Sequence, residues 1–191
     1  MIDQSRSNLE TLAWFDRFLK GLPSSGSTPV SIFVMPDVGW REGATWPMGG
    51  VGYEELTWYL HPAGQLDADP PPDCDPDSYN YDPKDPTPSV GGSQYSTYDP
   101  QPDNRELEAR KDVLTYTSPV LTTDLHLVGP ASAQLYARSN LAYTDFFVRL
   151  CDVFPDERSL NVTDALVRLR PGDYATDKDG VMRICICLLY T

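Results

Sequence analysis

The sequence predicts an all-β domain, an antiparallel sandwich or barrel, preceded by one amphipathic helix. From residue 112 onward, short segments recur in which apolar and polar residues tend to alternate. Proline and glycine lie between many of these segments, and no helical pattern is interleaved with them, which is typical of antiparallel β domains. The chain has 191 residues, 40% of them hydrophobic, which is enough for one domain with a sizeable core.

The helix is predicted near the N-terminus. Ser7 and Glu10 have the spacing of a capping box, and Gly21 and Pro23 supply the stop signals at the other end. Apolar residues fall on one face at helical spacing: Leu12, Phe15 and Leu19. Because nothing else in the chain has a helical pattern, we expect this face to need a partner surface.

Two strands and a loop are predicted next. Residues 30–35 are a short apolar run of strand type, and residues 53–60 are rich in aromatic residues. The loop predicted between them, residues 40–47, contains Trp40 and Trp46. Two tryptophans so close together are either packing anchors or a platform on which a ligand stacks.

The remainder is predicted as one long loop and a series of strands. Residues 67–92 are rich in proline, aspartate and glycine, which leaves little room for a regular element. Loops of this length tend to be functional or to pack against a neighbour. The later strands are predicted at residues 113–117, 124–128, 131–139, 143–153, 160–170 and 181–188.

Charge and hydropathy narrow the classes of partner. The formal net charge is -13 and the pI about 4.4, so neither nucleic acid nor an anionic membrane surface is expected as a partner. No apolar run approaches the roughly 20 residues that span a bilayer. The first ten residues are polar and lack the pattern of a signal peptide, so a cytoplasmic location is expected for a complete chain.

No catalytic residue is predicted. The nearest approach to the G-x-S-x-G turn of a serine nucleophile surrounds Ser93, but Tyr95 replaces the last glycine and a loop precedes it. His61 and His126 have no plausible nucleophile nearby in the pattern, so we interpret them as surface or strand-end residues.

No metal site and no cofactor are expected either. Asp73, Asp75 and Asp77 resemble the opening of a calcium loop, but Ser78 replaces the turn glycine and Lys84 the bidentate glutamate. The cysteines have no CxxC spacing. Cys185 and Cys187 should share one face of a strand, and all four cysteines are interpreted as buried free thiols: Cys74, Cys151, Cys185 and Cys187.

Four segments together resemble one family, the cocaine esterase-like (CocE/NonD) serine hydrolases and the related X-prolyl dipeptidyl peptidases. Their order and spacing fit across nearly the whole chain, and the segment YNYDPKDPTPSVGG is the most specific. The segments are WFDRFLKG (14–21), VSIFVM (30–35) with Trp40 and Trp46, YNYDPKDPTPSVGG (79–92), and DVLTY (112–116) continuing through TDF (144–146) and LCDVFPD (150–156).

The resemblance implies a jelly-roll β-sandwich of galactose-binding-like type over residues 30–191. It also implies that residues 1–22 are the last helix of an α/β-hydrolase domain in the same parent chain, which would be the partner. Hydrolysis of a small ester or peptide by that family uses a Ser-His-Asp triad upstream of this helix, so no catalytic residue is carried over. Gln94 and Tyr95 correspond to a loop that helps to line the acyl pocket, and are therefore the expected substrate-binding residues.

The resemblance also implies that the sandwich is truncated at its C-terminus, because further strands follow this region in the family. A sandwich that lacks strands exposes unpaired backbone groups and an apolar inner face, so poor solubility or oligomerisation is expected. Two other classes remain open. One is a stand-alone carbohydrate- or ligand-binding module that uses Trp40, Trp46 or Trp58, and the other is an enzyme complete in itself.

Overall fold

The computed structural model describes residues 4–23, 29–34, 39–46, 48, 54–91 and 102–188. The chain divides into two compact units. The first unit contains residues 1–53 and 95–99, and the second contains residues 54–94 and 100–191. None of the described helices is both long enough and apolar enough to cross a membrane.

The first unit contains helix α1 (Gln4–Lys20) and an antiparallel pair of strands, β1 (Val30–Val34) and β2 (Gly39–Gly43). The helix starts earlier than predicted, so the capping box is wrong. Ser7 lies inside the helix, where its carbonyl accepts a hydrogen bond from Thr11. Glu10 pairs with Arg6 one turn before it, at 2.9 Å, instead of capping the backbone.

Residues 40–43 were predicted as part of a loop, and this prediction is wrong. They belong to β2, where Phe33 pairs with Trp40 in the register of the two strands. The rings of Phe33 and Trp40 meet edge to face, with centroids 5.5 Å apart. A cross-strand aromatic pair of this kind stabilises the ladder, which explains why a tryptophan-containing segment is a strand here.

The second unit is built from antiparallel strand pairs. Two short strands, β3 (Tyr59–His61) and β4 (Gln65–Asp67), pair across a turn, and then β5 pairs with β8 and β6 with β7. The bounds of the longer strands are β5 (Ala131–Ala137), β6 (Thr144–Val153), β7 (Ser159–Leu169) and β8 (Met182–Leu188). These four agree with the predicted strands to within two residues at each end, and the mostly β character of the chain is confirmed.

The core lies between the β5–β8 pair and the β6–β7 pair. Alternate residues of each strand point inward, as the period-2 pattern requires. The buried apolar side chains come from β7 and β8, namely Ala165, Leu169, Ile184, Ile186 and Leu188. Half-buried residues of β5 and β6 pack against them, including Leu135, Phe146 and Val148. The two strand pairs therefore share one hydrophobic core.

Three predicted elements of this unit differ in the structure. Residues 113–117 and 124–128 form no strand, apart from an isolated bridge between Gln65 and Thr117. The first residue of the predicted strand 53–60 lies outside the described residues. Residues 54–58 form no strand, and β3 begins only at Tyr59 and pairs with a three-residue partner. Alternation alone does not make a strand, since each ladder needs a neighbour that offers its backbone groups.

Smaller differences concern helices and cysteines. A short helix, α2 (Arg105–Glu108), and a 3-10 turn (Pro62–Gly64) are present although no second helix was predicted. The thiols are free, but Cys74, Cys185 and Cys187 are exposed, so the prediction that they are buried is wrong. For Cys185 and Cys187 the reason is the strand period, which turns Ile184 and Ile186 into the core and the cysteines outward.

Candidate functional site

The side chain of Arg149 lies on the outer face of β6, in the second unit. It is hydrogen-bonded to described residues from three other segments of that unit. Its guanidinium donates to the Asp164 carboxylate at 2.9 and 3.2 Å, to the Val90 carbonyl at 2.6 Å and to Asn104 Oδ1 at 2.6 Å. The side chain is only 9% exposed. We call Arg149, Asp164, Asn104 and the Val90 carbonyl the Arg149 centre; it links β6, β7, the end of the long loop and the segment before α2.

The strand register explains why this charged pair forms. Arg149 of β6 lies directly opposite Asp164 of β7, and both occupy outward positions next to inward-facing Val148 and Ala165. Burial of an ion pair is tolerated when further hydrogen bonds satisfy both groups. Arg149 meets this condition, and Asp164 accepts an additional hydrogen bond from Asn161 at 3.1 Å.

Asn104 extends the centre to the beginning of β7. It is 1% exposed, and both its backbone N–H and its side-chain amide donate to the Ser159 carbonyl at 2.9 Å. The Ser159 N–H donates to Asp103 at 3.1 Å, and the Ser159 hydroxyl donates to Glu108 of α2. Residues 103–108 are therefore fastened to β7 by a set of buried polar contacts, which are costly to break.

Two charged pairs in this region have perturbed pKa values. The hydrogen bond from Arg105 lowers the pKa of Asp103 to about 2. Farther along, hydrogen bonds from Arg110 and from Thr87 lower the pKa of Asp112 to about 2. Both carboxylates are therefore charged at neutral pH and available as acceptors.

Hydrogen bonds with residues 110–116 hold the long acidic loop in place. Arg110 donates to Asp112 at 2.7 and 3.0 Å, and to the Asp85 carbonyl at 2.9 Å. Thr87 donates to Asp112 at 2.6 Å. Earlier in the loop, Tyr116 donates to Asp77 at 2.8 Å, and burial together with this acidic neighbour raises the pKa of the Tyr116 hydroxyl.

Gly91 and Pro102 come into contact at the end of this loop. Gly91 has a φ of +68°, and a Cβ atom there would lie 2.7 Å from Pro102 Cγ. Both the positive φ and the close approach require glycine at this position. The described chain on either side of residues 92–101 is thus held in one place, with the Arg149 centre beside it.

The residues predicted to be functional fall into two groups. Gln94 and Tyr95, the expected substrate-binding residues, and Ser93 lie outside the described residues. His61 contacts the Asp69 carbonyl through Nε2 at 2.8 Å, whereas His126 is exposed. Within the described ranges, neither histidine is hydrogen-bonded to a serine. Among the described residues, the structure brings together Arg149, Asn104 and Asp164.

Sequence reasoning missed the Arg149 centre because it depends on strand register. Arg149 and Asp164 are fifteen positions apart and become neighbours only when β6 and β7 pair. The signal in the sequence was a pair of opposite charges inside strongly apolar strands, which a predicted hairpin could have matched. Asn104 had no such signal, since it precedes a four-residue helix.

The acidic loop shows no metal centre in the described part of the chain. No group of three or more histidine, cysteine, aspartate or glutamate side chains is placed there to hold an ion. Asp77 accepts a hydrogen bond from Tyr116, while Asp82 accepts one from the backbone of Lys84 at 2.9 Å.

A shallow groove in the first unit has an aromatic lining. Its residues are Arg6, Ser7, Glu10, Thr11, Trp14, Phe15, Ser31 and Trp40. The Arg6 guanidinium lies 3.8 Å above the centre of the Trp40 ring and donates to Ser31 at 2.9 Å. Trp40 thus packs against Arg6 on one face and Phe33 at an edge, which supports its interpretation as a packing residue.

The described part of the second unit is a mostly β domain in which the Arg149 centre connects two paired strands to two loop segments. Residues 25–182 match the family described as the X-Pro dipeptidyl-peptidase C-terminal non-catalytic domain. The chain belongs to this family, as the sequence resemblance predicted. Helix α1 precedes the matched region.

Relatives and solved structures agree with this assignment. Cocaine esterase from Rhodococcus sp. (strain MB1 Bresler) is 36% identical over 171 residues, which cover 83% of this chain. The chain spans only 29% of the length of that relative. Two solved structures, an aminopeptidase from a Thaumarchaeota archaeon and an α-amino acid ester hydrolase, share its fold with TM-scores of 0.73 and 0.71.

The two solved structures are 21% and 23% identical in sequence to this chain. Each match covers 93% of this chain, and 32% and 34% of the respective structures. At that level of identity they bear on the fold alone. The family match and the similarity in fold together show that this chain is a non-catalytic C-terminal domain of the X-Pro peptidase and cocaine esterase-like hydrolases.

Proposed function

We propose that this domain supports the active site of a serine hydrolase, and that α1 is the last helix of the α/β-hydrolase domain of the same parent chain and packs against the rest of that domain. The observation that carries the proposal is the exposed aromatic cluster of α1, formed by Trp14, Phe15 and Phe18. These side chains are 56%, 46% and 58% exposed. The proposed substrate of the parent is a small ester or peptide, hydrolysed by a triad outside this chain.

The geometry of the cluster favours a docking surface. Trp14 packs edge to face on Phe15 with ring centroids 5.2 Å apart, and lies 4.7 Å from Phe18. Preformed aromatic clusters of this kind supply large apolar area at small entropic cost when they are covered. A contiguous apolar patch left in water is characteristic of an interaction surface.

A chimaera tests this docking surface. The matching region of the Rhodococcus cocaine esterase is replaced by this chain, and hydrolysis of 4-nitrophenyl acetate is measured. We expect the double substitution W14S/F18S to lower kcat/KM at least tenfold and to promote aggregation, because α1 no longer packs against the hydrolase domain. The matched control is Leu9→Ser, which removes an exposed apolar side chain of α1 outside the cluster. Equal activities of the double variant and the control would contradict the proposal.

The second part of the proposal concerns Gln94 and Tyr95. The family resemblance assigns them to the acyl pocket. The described residues that flank them are held beside the Arg149 centre, because Val90 accepts a hydrogen bond from Arg149 and Gly91 lies against Pro102, and this supports the assignment. A polar Gln94 would disfavour an aromatic acyl group. In the chimaera, Gln94→Leu should therefore raise the ratio of kcat/KM for benzoate over acetate esters at least threefold. An unchanged ratio in both Gln94→Leu and Tyr95→Ala would exclude these residues from the pocket.

We further propose that the strands form a jelly-roll sandwich of galactose-binding-like type. The common core of the β5–β8 and β6–β7 pairs supports this arrangement. A crystal structure of the chimaera would test it, and the expected result is two antiparallel sheets packed face to face with Greek-key connections.

A further inference from the structure

Strand β8 presents two thiols side by side on the outer face of its strand pair. Cys185 and Cys187 are both exposed and both free. They alternate with Ile184, Ile186 and Leu188, which point into the core. The two cysteines therefore project from the same face, with the spacing fixed by one repeat of the strand.

This spacing prevents Cys185 and Cys187 from forming a disulfide with each other. Residues two apart on a strand have Cα atoms about 6.7 Å apart, near the upper limit for a disulfide. The Cβ atoms of a disulfide lie about 3.8 Å apart, whereas parallel side chains on one strand keep theirs much farther apart. Cys185 and Cys187 therefore remain a dithiol in an extended strand instead of closing on each other.

The same spacing suits a cation shared between two sulfurs. Metal–thiolate bonds are about 2.3 Å long, so an ion midway between two sulfurs requires them about 4.6 Å apart. Side chains in strands lean along the strand, and opposite χ1 choices bring two same-face sulfurs toward each other. Thiolates select soft ions, and Cu(I) accepts two sulfur ligands in a linear arrangement.

We infer that Cys185 and Cys187 form a two-coordinate site for a soft monovalent cation of the Cu(I) class. Both thiols release their protons to solvent as the ion binds, so that two thiolates hold one cation. The residues that face them across the ladder are Gln134 for Cys185 and Ser132 for Cys187, so neither acidic nor bulky groups stand opposite. The Gln134 side chain accepts a hydrogen bond from Arg183 at 2.7 Å and donates one to the Tyr136 hydroxyl at 2.8 Å.

Anaerobic titration of the whole chain with Cu(I), against bicinchoninate as a competing chromogenic ligand, tests the site. The wild-type chain should withdraw one Cu(I) per molecule. Cys185→Ser and Cys187→Ser should each weaken the apparent affinity at least 100-fold. Cys74→Ser removes an exposed thiol elsewhere in the unit and should change the affinity less than threefold. Retention of wild-type affinity by both strand variants would overturn the inference.

A measurement on the unsubstituted chain removes any dependence on how the variants fold. Iodoacetamide alkylation is followed by peptide mass spectrometry with and without one equivalent of Cu(I). Cu(I) should slow the alkylation of Cys185 and Cys187 together at least tenfold and leave the rate at Cys74 unchanged. Equal protection of the three thiols, or none, would show that no shared site exists.

Discussion

At the scale of single residues, Arg149 is the side chain that organises the candidate site. It is nearly buried, and its partners come from β7, from the end of the acidic loop and from the segment before α2. Arg168, on the same face of the same strand pair, offers a direct comparison. Its bidentate pair with Asp145 has similar distances, 2.8 and 2.7 Å, but Arg168 is 63% exposed.

Removal of these two arginines should lower the free energy of unfolding by different amounts. Arg149→Met should destabilise the chain by about 3–5 kcal/mol, because it leaves Asp164 charged and largely buried without its partner. Arg168→Met should lower the free energy of unfolding much less than Arg149→Met does, since an exposed pair is screened by solvent. Urea unfolding followed by circular dichroism measures both. A loss below about 1 kcal/mol for Arg149→Met would show that the Arg149 centre does not hold the site together.

At the scale of elements, the sequence predicted correctly those strands that pair with another strand and bury one face in the core. The strands β5 to β8 were predicted because their alternation reflects burial on the shared core. Residues 124–128 show similar alternation, yet Leu125 and Leu127 are exposed and the segment forms no strand. The β2 strand was missed because it lies in a segment whose glycine and two tryptophans, the second of them after the strand, resemble a loop. Only pairing with β1 reveals the strand. Pairing is a non-local property, so periodicity within a segment does not determine it.

The long acidic loop is an element without regular secondary structure, and its order depends on charge. Asp112 has a folded-state pKa of about 2, below the unfolded value near 4, so its contribution to stability is present above pH 4. The contribution is lost as the pH falls from about 4 to about 2, when the carboxylate becomes protonated and loses Arg110 and Thr87 as partners.

Asp112 should therefore make the stability of the chain depend on pH between 4 and 2. The urea midpoint of the chain should fall between pH 4 and pH 2, and Asp112→Asn should show a shallower fall because it lacks the titrating carboxylate. Urea unfolding at pH 6, 4, 3 and 2.5 provides the measurement. Asp179→Asn is a control, since that exposed loop residue takes no part in the hydrogen bonds that Asp112 makes with Arg110 and Thr87. Parallel curves for the chain and for Asp112→Asn would refute the assigned role of Asp112.

At the scale of the whole molecule, the many exposed apolar side chains indicate a domain that packs against another domain. Large apolar side chains are exposed on α1, at Trp14, Phe18 and Leu19, and also along residues 114–127. The family match begins after α1, and the chain spans only 29% of the cocaine esterase that it matches. The proposed role, support of an upstream active site, accounts for the absence of predicted catalytic residues and for the aromatic cluster on α1.

The most direct test of that role is the esterase activity of the chimaera beside that of the chain alone. Both proteins are assayed with 4-nitrophenyl acetate, together with cocaine esterase from which the matching region has been deleted. We expect a saturable rate for the chimaera and rates no higher than buffer for the isolated chain and for the deleted enzyme. A saturable rate in the isolated chain, or a folded chimaera with no activity, would contradict it.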